Sequence, residues 1–203
     1  MKGVPADVLA SFAALDPVMA GLADRHGPPR LGGRRTGVSR FEQLAEAICY
    51  QQLAGAAAAT IWGRVRGLVA GPFTPEAVLS LAPDRLRAAG LSGAKTASIL
   101  DLAAKAADGT VRLDRIGRRP DDEVVAHLTV VRGIGRWTAE MFCVFTLGRL
   151  DVWPTGDYGV RAGWARAYGL AEPPSPKELE PAGDRFRPYR TLAAWYCWRA
   201  LEG

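Results

Sequence analysis

The chain has 203 residues, 48% of them hydrophobic, with 26 Lys and Arg against 21 Asp and Glu and a formal net charge of +5. That is enough chain to bury a sizeable core in one domain, or in two small lobes that share one. The start, Met1 to Leu22, is interrupted by Lys2, Asp7 and Asp16, which excludes a signal peptide or a membrane span there and leads us to expect a cytoplasmic protein.

Lysine occurs only at Lys2, Lys95, Lys105 and Lys177, so the basic side is nearly all arginine. Arginine suits bidentate phosphate contacts, but a GC-rich genome gives the same bias, and the charge is supporting evidence only. Cys49, Cys143 and Cys197 lie far apart in apolar helical contexts. They read as buried free thiols, which excludes a disulfide framework or a thiolate metal site.

In chain order, Val8, Leu9, Phe12, Leu15, Met19 and Leu22 mark an amphipathic helix from Pro5 to Arg25 with a break near Pro17. His26 beside a Gly-Pro-Pro turn reads as a surface residue. Residues 27–38 hold six Gly or Pro among arginines, a loop with a basic face that either lies on a polyanion or is solvated. Ser39 or Arg40 opens a helix with Phe41, Leu44, Ala45, Ile48 and Cys49 inward. It runs into Tyr50-Gln51-Gln52-Leu53-Ala54-Gly55, and an alanine-rich helix spans Ala56 to Val69. Short helices follow at Pro75 to Leu81 and Pro83 to Ala89. Gly90-Leu91-Ser92-Gly93-Ala94-Lys95 then turns into a helix through Ala107, with Lys95 available for a phosphate. Val111 to Arg119 is a basic linker. No stretch alternates in the manner of a strand, so the fold class is all-α.

The chain is organised around Asp122 to Tyr158. Val124, Val125, Leu128 and Val131 recur at helical spacing, and an apolar run continues from Trp137 to Leu147, so two helices meet at Gly133-Ile134-Gly135. The glycines allow positive φ and leave no Cβ in the way of an approaching group. The second helix opens there with unpartnered N–H groups and a positive dipole end beside Arg136, a setting for a phosphate. A helical hairpin whose glycines only relieve crowding is the other reading. Downstream, Trp153-Pro154-Thr155-Gly156 ends one element and places Asp157 where a helix N-cap belongs, ahead of Tyr158, Val160, Arg161 and Trp164. Asp157 is either a plain cap or a carboxylate held ionised at the edge of a nucleic-acid surface. Further on, Ser175 with Glu178 forms a capping box, and a last helix carries Leu192, Trp195, Tyr196 and Trp198 as packing residues.

The turn Gly133-Ile134-Gly135-Arg136-Trp137-Thr138-Ala139, followed by a Gly/Pro-rich loop and Asp157, resembles the helix-hairpin-helix (HhH-GPD) DNA glycosylase superfamily. It is most similar to the alkylation-repair branch, the 3-methyladenine DNA glycosylase II type. The resemblance extends from about Phe41 to Leu201. It implies a two-lobed helical fold in a single domain, 1–203, with one lobe at about 40–150 holding the hairpin 124–147 and the other formed by about 1–39 plus 151–203. The segment before Phe41 is too short for the N-terminal β-domain that this branch often carries.

The resemblance also implies residue roles. Asp157 would orient and deprotonate water or stabilise an oxocarbenium-like sugar. Trp137 and Tyr189, with Met141 and Tyr158, would line the base pocket; Tyr189 falls where a relative has tryptophan, and Met141 where some have tyrosine. Leu53, with Gln52, would enter the duplex from the minor groove and fill the gap left by an everted nucleotide; an ordinary core leucine is the other reading. Gly133, Ile134, Gly135, Arg136 and Thr138 would grip the strand backbone, and the carbonyls of Thr129, Val131 and Ile134 would hold a monovalent cation, Na+ or K+. Bifunctional relatives have a nucleophilic lysine where Trp137 stands, so the expected enzyme is a monofunctional hydrolase without lyase activity. The clustered cysteines of iron–sulfur relatives are absent, so no cluster is expected. Double-stranded DNA with damaged bases is the expected partner, bound by a monomer with no membrane involvement. Two alternatives remain: a non-catalytic helix-hairpin-helix DNA-binding module, and a glycosylase for uncharged lesions such as hypoxanthine or etheno adducts, or for a mismatched base.

Overall fold

Asp16 explains why the first helical stretch is two helices. Its carboxylate Oδ1 accepts from the N–H groups of Val18 and Met19, so it caps α2 (Pro17–His26) with proline in the first turn, and α1 (Ala6–Ala13) ends just before it. The computed structural model describes residues 2–32 and 37–202, and among these the fold is helical, as the periodicity predicts. One antiparallel ladder is added, between β1 (Lys2–Gly3) and β2 (Arg30–Leu31). Two residues per strand are too few for an alternating pattern to register in sequence.

The chain divides into two compact units, one made of Met1–Gly33 and Cys143–Gly203, the other of Arg34–Phe142. The division falls at Phe142, where α9 (Arg136–Phe142) passes into a π-helical turn (Cys143–Leu147), and not at about residue 150. The apolar run through Leu147 therefore continues as helix but changes its hydrogen-bond period and its unit.

The discontinuous unit packs α1, α2, α10 (Tyr158–Tyr168) and α12 (Arg190–Ala200) around Phe12, Met19, Phe186, Leu192 and Tyr196, with the Phe12 and Tyr196 rings stacked at 5.7 Å. α10 and α12 approach closely because Gly163 has no side chain: a Cβ there would run into the backbone of Cys197. α11 (Pro176–Ala182) opens with the expected capping box, Ser175 and Glu178 each bonded to the other's backbone.

The continuous unit comprises α3 (Arg40–Tyr50), α4 (Gly55–Gly67), α5 (Pro75–Leu79), α6 (Pro83–Ala88), α7 (Gly93–Ala107), α8 (Asp121–Thr129) and α9. Leu44, Ile48, Leu86, Ile99, Leu102, Ile116 and Leu128 are its buried centre. The basic linker contains a short 3-10 turn, Ile116–Arg118, which puts Ile116 into that core.

Residues 33–36 of the arginine-rich loop lie outside the described residues. Of its flanks, Arg40 donates from Nη1 to the carbonyls of Leu113 and Asp114, which fixes the linker. Cys49, Cys143 and Cys197 are buried free thiols, and burial pushes the Cys49 thiol up to about 12. No helix among the described residues is long and apolar enough to cross a membrane.

Candidate active site

The hairpin takes the form its glycines predict, with one change of role. Gly133 has φ +76°, and a Cβ there would strike Ser98 on α7, so this glycine is demanded by conformation and by close approach. Gly135 lies outside the left-handed region, and a Cβ on it would meet nothing within 4 Å. The fold does not need glycine at 135; only a group arriving from outside would. Val131 and Ile134 are buried, so the turn offers its backbone outward and not these side chains. The first intrahelical bond of α9 runs from the Ala139 N–H to the Gly135 carbonyl, and the amides before it precede the ladder.

Two side chains of this turn have partners within the fold. Arg136 is exposed but its Nε donates to Glu140 Oε1 at 2.8 Å, so its charge is balanced by a buried carboxylate one turn along. Thr138 is buried, and its hydroxyl accepts from Gln51 Nε2 at 3.2 Å; it ties the hairpin to α3 and does not face outward. The turn is also anchored to α7. Asp101 Oδ2 accepts from the Arg132 N–H and from Lys105 Nζ, both at 2.7 Å, and Lys105 donates to the Val130 carbonyl. Burial by itself would raise the Asp101 carboxyl, but the Lys105 and Arg132 hydrogen bonds outweigh it and hold it below its usual value.

The junction of α3 and α4 is exposed as the wedge reading requires. Leu53 is 39% accessible, which removes the core alternative. Its N–H bonds the Tyr50 carbonyl at 3.3 Å, closing a turn in which Gln52 takes φ +55°. Such a turn usually places glycine there; a side chain in the left-handed region costs about 1–2 kcal/mol. Lys95 does not wait for a phosphate: its ammonium donates to the carbonyls of Cys49 and Gln51, at the end of α3. On α9, Trp137 is 47% exposed, and the half-buried Met141 lies four residues on, over the same helical face.

In the other unit, Asp157 caps α10 as predicted. Its Oδ1 accepts from the Val160 N–H at 2.8 Å and from Trp198 Nε1 at 3.0 Å, and its own N–H bonds the Pro154 carbonyl. The half-buried carboxylate is thus held by a helix N-terminus and by an indole N–H from α12. Trp198 is therefore more than packing; Phe145 on the π-helical turn stacks on it at 5.8 Å. Gly159 makes the arrangement feasible, since a Cβ there would sit 3.0 Å from both Asp157 Oδ1 and the Trp198 ring. Nothing in the sequence marks Trp198 or Gly159, because their partners are set by the crossing of α10 and α12.

Tyr158 is 67% exposed, with the Arg161 guanidinium 5.5 Å from its ring centre. Tyr189, half-buried, precedes α12 in a segment held by Asp151, which accepts from Arg187 and twice from the Arg190 side chain. A groove of about 320 Å³ in this unit, lined by residues that include Leu22, Arg25, Arg166 and Ala200, belongs to the far end of α10. Its lining residues on α10 lie about 14–15 Å along the helix from the Asp157 carboxylate, so the groove is apart from that group.

Residues 45–188 match the family described as HhH-GPD superfamily base excision DNA repair protein. The chain is 33% identical to DNA-3-methyladenine glycosylase 1 of Schizosaccharomyces pombe over 80% of this chain and 72% of that protein. Its fold matches that of a DNA-3-methyladenine glycosidase from Bacillus halodurans with a TM-score of 0.87 at 33% identity, over 98% of this chain and 92% of that one. It also matches the Schizosaccharomyces pombe 3-methyladenine DNA glycosylase in complex with abasic DNA, with a TM-score of 0.82 at 29% identity over 95% of both chains.

Proposed function

Because the chain belongs to the HhH-GPD superfamily of base excision DNA repair proteins, we propose that it is a monofunctional DNA glycosylase that removes 3-methyladenine and related alkylated bases from duplex DNA. The observation that carries the proposal is the half-buried Asp157 carboxylate, oriented by two N–H donors at the N-terminus of α10.

In this reading the damaged nucleotide leaves the stack, at a cost of a few kcal/mol that is least where damage has weakened pairing. Leu53, projecting from the α3–α4 turn with Gln52, fills the vacated space. A base alkylated on a ring nitrogen is cationic, and an aromatic face attracts it by stacking and cation–π contact, about 0.5–2 kcal/mol; Trp137, with Met141 as an adaptable neighbour, offers such a face in its unit, and Tyr158 and Tyr189 offer theirs in the other. As the bond from C1′ to the base breaks, its electron pair neutralises the leaving base, and no general acid is needed. Asp157 either takes the proton of the attacking water or stabilises the oxocarbenium-like sugar, and an abasic site remains. Tryptophan at 137 offers no amine for a Schiff base, which supports hydrolysis without strand cleavage.

The hairpin backbone from Gly133 through Thr138, with Arg136, grips the strand without reading its sequence. The carbonyls of Thr129, Val131 and Ile134 suit a Na+ or K+ ion: they are hard oxygen donors at and just after the end of α8, Val131 keeping a second lone pair beside the Ile134 N–H it accepts, and the Lys105 ammonium on the neighbouring Val130 carbonyl is balanced by Asp101. Such an ion would supply positive charge facing a phosphate.

The test is base release from a panel of duplexes carrying 3-methyladenine, hypoxanthine, an etheno adduct or no lesion, with borohydride present in parallel. Release of 3-methyladenine with no trapped protein–DNA adduct supports the proposal. Release of only the uncharged lesions, binding without release, or a trapped adduct would overturn it.

A further inference from the structure

Gln52 is the one non-glycine residue with positive φ among the described residues, and it sits at the tip that carries Leu53. Strained backbone of this kind persists only where the surroundings over-determine it, and here the surroundings converge on the residue before it. The carbonyl of Gln51 is held by Lys95 Nζ at 2.6 Å, and the same ammonium holds the Cys49 carbonyl at 2.8 Å. The side chain of Gln51 reaches the other way. Its Nε2 donates to the Gly133 carbonyl at 3.0 Å, inside the Gly-x-Gly turn, and to Thr138 Oγ1 at 3.2 Å, in the first turn of α9.

An amide nitrogen has two protons, and these two acceptors use both. Gln51 is therefore pinned to α7 through its backbone and to the hairpin through its side chain, while the next two residues project outward. Its partners on the hairpin are fixed in turn: Thr138 is buried, and Gly133 is seated against Ser98 with no room for a Cβ. The hairpin turn itself is tied to α7 through Asp101 and Lys105. Residue 51 is thus the side-chain link, within one unit, between the turn assigned to the strand backbone and the turn assigned to the vacated stack.

We propose that Gln51 is a positioning residue that couples these two elements, so that grip of the strand and insertion of Leu53 occur at one set spacing. The inference rests on the glycosylase reading. It differs from a general stabilising role because it demands non-additivity: where Gln51 no longer presents the tip, the identity of residue 53 should matter less.

The experiment is a double-mutant cycle with Gln51→Met, which keeps length and removes both donors, and Leu53→Ala. Thr138→Val removes one acceptor from the opposite side and serves as a second route. Each protein is confirmed folded by thermal melting, then assayed for single-turnover excision of 3-methyladenine, affinity for an abasic-site duplex and for an undamaged duplex, and fluorescence of a 2-aminopurine placed beside the lesion. Gln51→Met should lower the preference for abasic over undamaged duplex about tenfold and blunt the 2-aminopurine rise. On that background Leu53→Ala should cost no more than about twofold further, and Thr138→Val should shift the same readouts in the same direction. Multiplicative losses in the double mutant, or a folded Gln51→Met within twofold of the parent, would overturn the coupling while leaving the glycosylase reading intact. A parent protein that neither excises nor prefers abasic DNA would overturn both.

Discussion

Asp157→Asn isolates charge from architecture. Asp157 Oδ1 accepts from the Val160 N–H at 2.8 Å and from the Trp198 indole at 3.0 Å. Asparagine can place a carbonyl oxygen in the same spot, and it caps helices as well as aspartate does. What it loses is the charge: its interaction with the helix terminus, about 0.3–1 kcal/mol, and the ionic strengthening of the indole hydrogen bond, about 1 kcal/mol. For a chain of this size that lowers Tm by about 3–8 °C. Loss of a group that stabilises transition-state charge costs about 2.7–4 kcal/mol, or roughly 10²–10³ in rate. Asp157→Ala, by contrast, removes the cap, about 1 kcal/mol, and leaves the indole N–H without this acceptor, about 1–3 kcal/mol. Single-turnover release of 3-methyladenine, paired with thermal melting of the two variants, separates these effects. Both should be equally inactive, but the alanine variant should melt lower than the asparagine variant. An asparagine variant within about threefold of the parent rate removes Asp157 from the chemistry. Equal melting of the two variants refutes the hydrogen-bond geometry.

Trp198→Phe keeps a ring against Phe145 and removes one donor to the carboxylate; excision should slow about tenfold while affinity for abasic duplex holds, and stability should fall by about 2 kcal/mol as a charge-assisted hydrogen bond is lost. A pair of glycine variants tests the two kinds of glycine. Gly163→Ala drives a Cβ into the Cys197 backbone and should cost about 1–3 kcal/mol or more in melting experiments, whereas Gly135→Ala, pointing into open space, should change Tm by less than about 3 °C and weaken binding to any duplex. The Asp101 anchor gives a pH dependence with a definite sign. Its carboxyl is depressed in the fold, so its contribution is present above the unfolded value of about 3.9 and is lost as pH falls through the folded one. The Tm difference between the parent and Asp101→Asn should therefore be constant near neutrality and shrink below about pH 4.

The fold class was legible because helices announce themselves locally. Apolar spacing and caps such as Ser39, Asp157 and Ser175 act over one or two turns, and the structure has each of them bonded as a cap. The hairpin and the acidic N-cap were legible for the same reason, since glycine and aspartate at a helix start carry their meaning within a few residues. The sequence by itself determined where helices begin, where the chain turns, and which backbone groups a turn leaves outward.

Only the tertiary structure decided what meets across elements. Lys95 read as a phosphate ligand and proved to hold the end of α3, 44 residues away in sequence. Thr138 read as part of the strand grip, and its buried hydroxyl accepts from Gln51, 87 residues away. Trp198 read as packing, yet its indole N–H finds Asp157 because Gly163 lets α12 lie close against α10 and Gly159 leaves space for the ring. A side chain's reach is a few ångströms while its partner is chosen by helix crossing, and helix crossing is settled by how whole faces bury their apolar surface, a quantity no short window of residues contains.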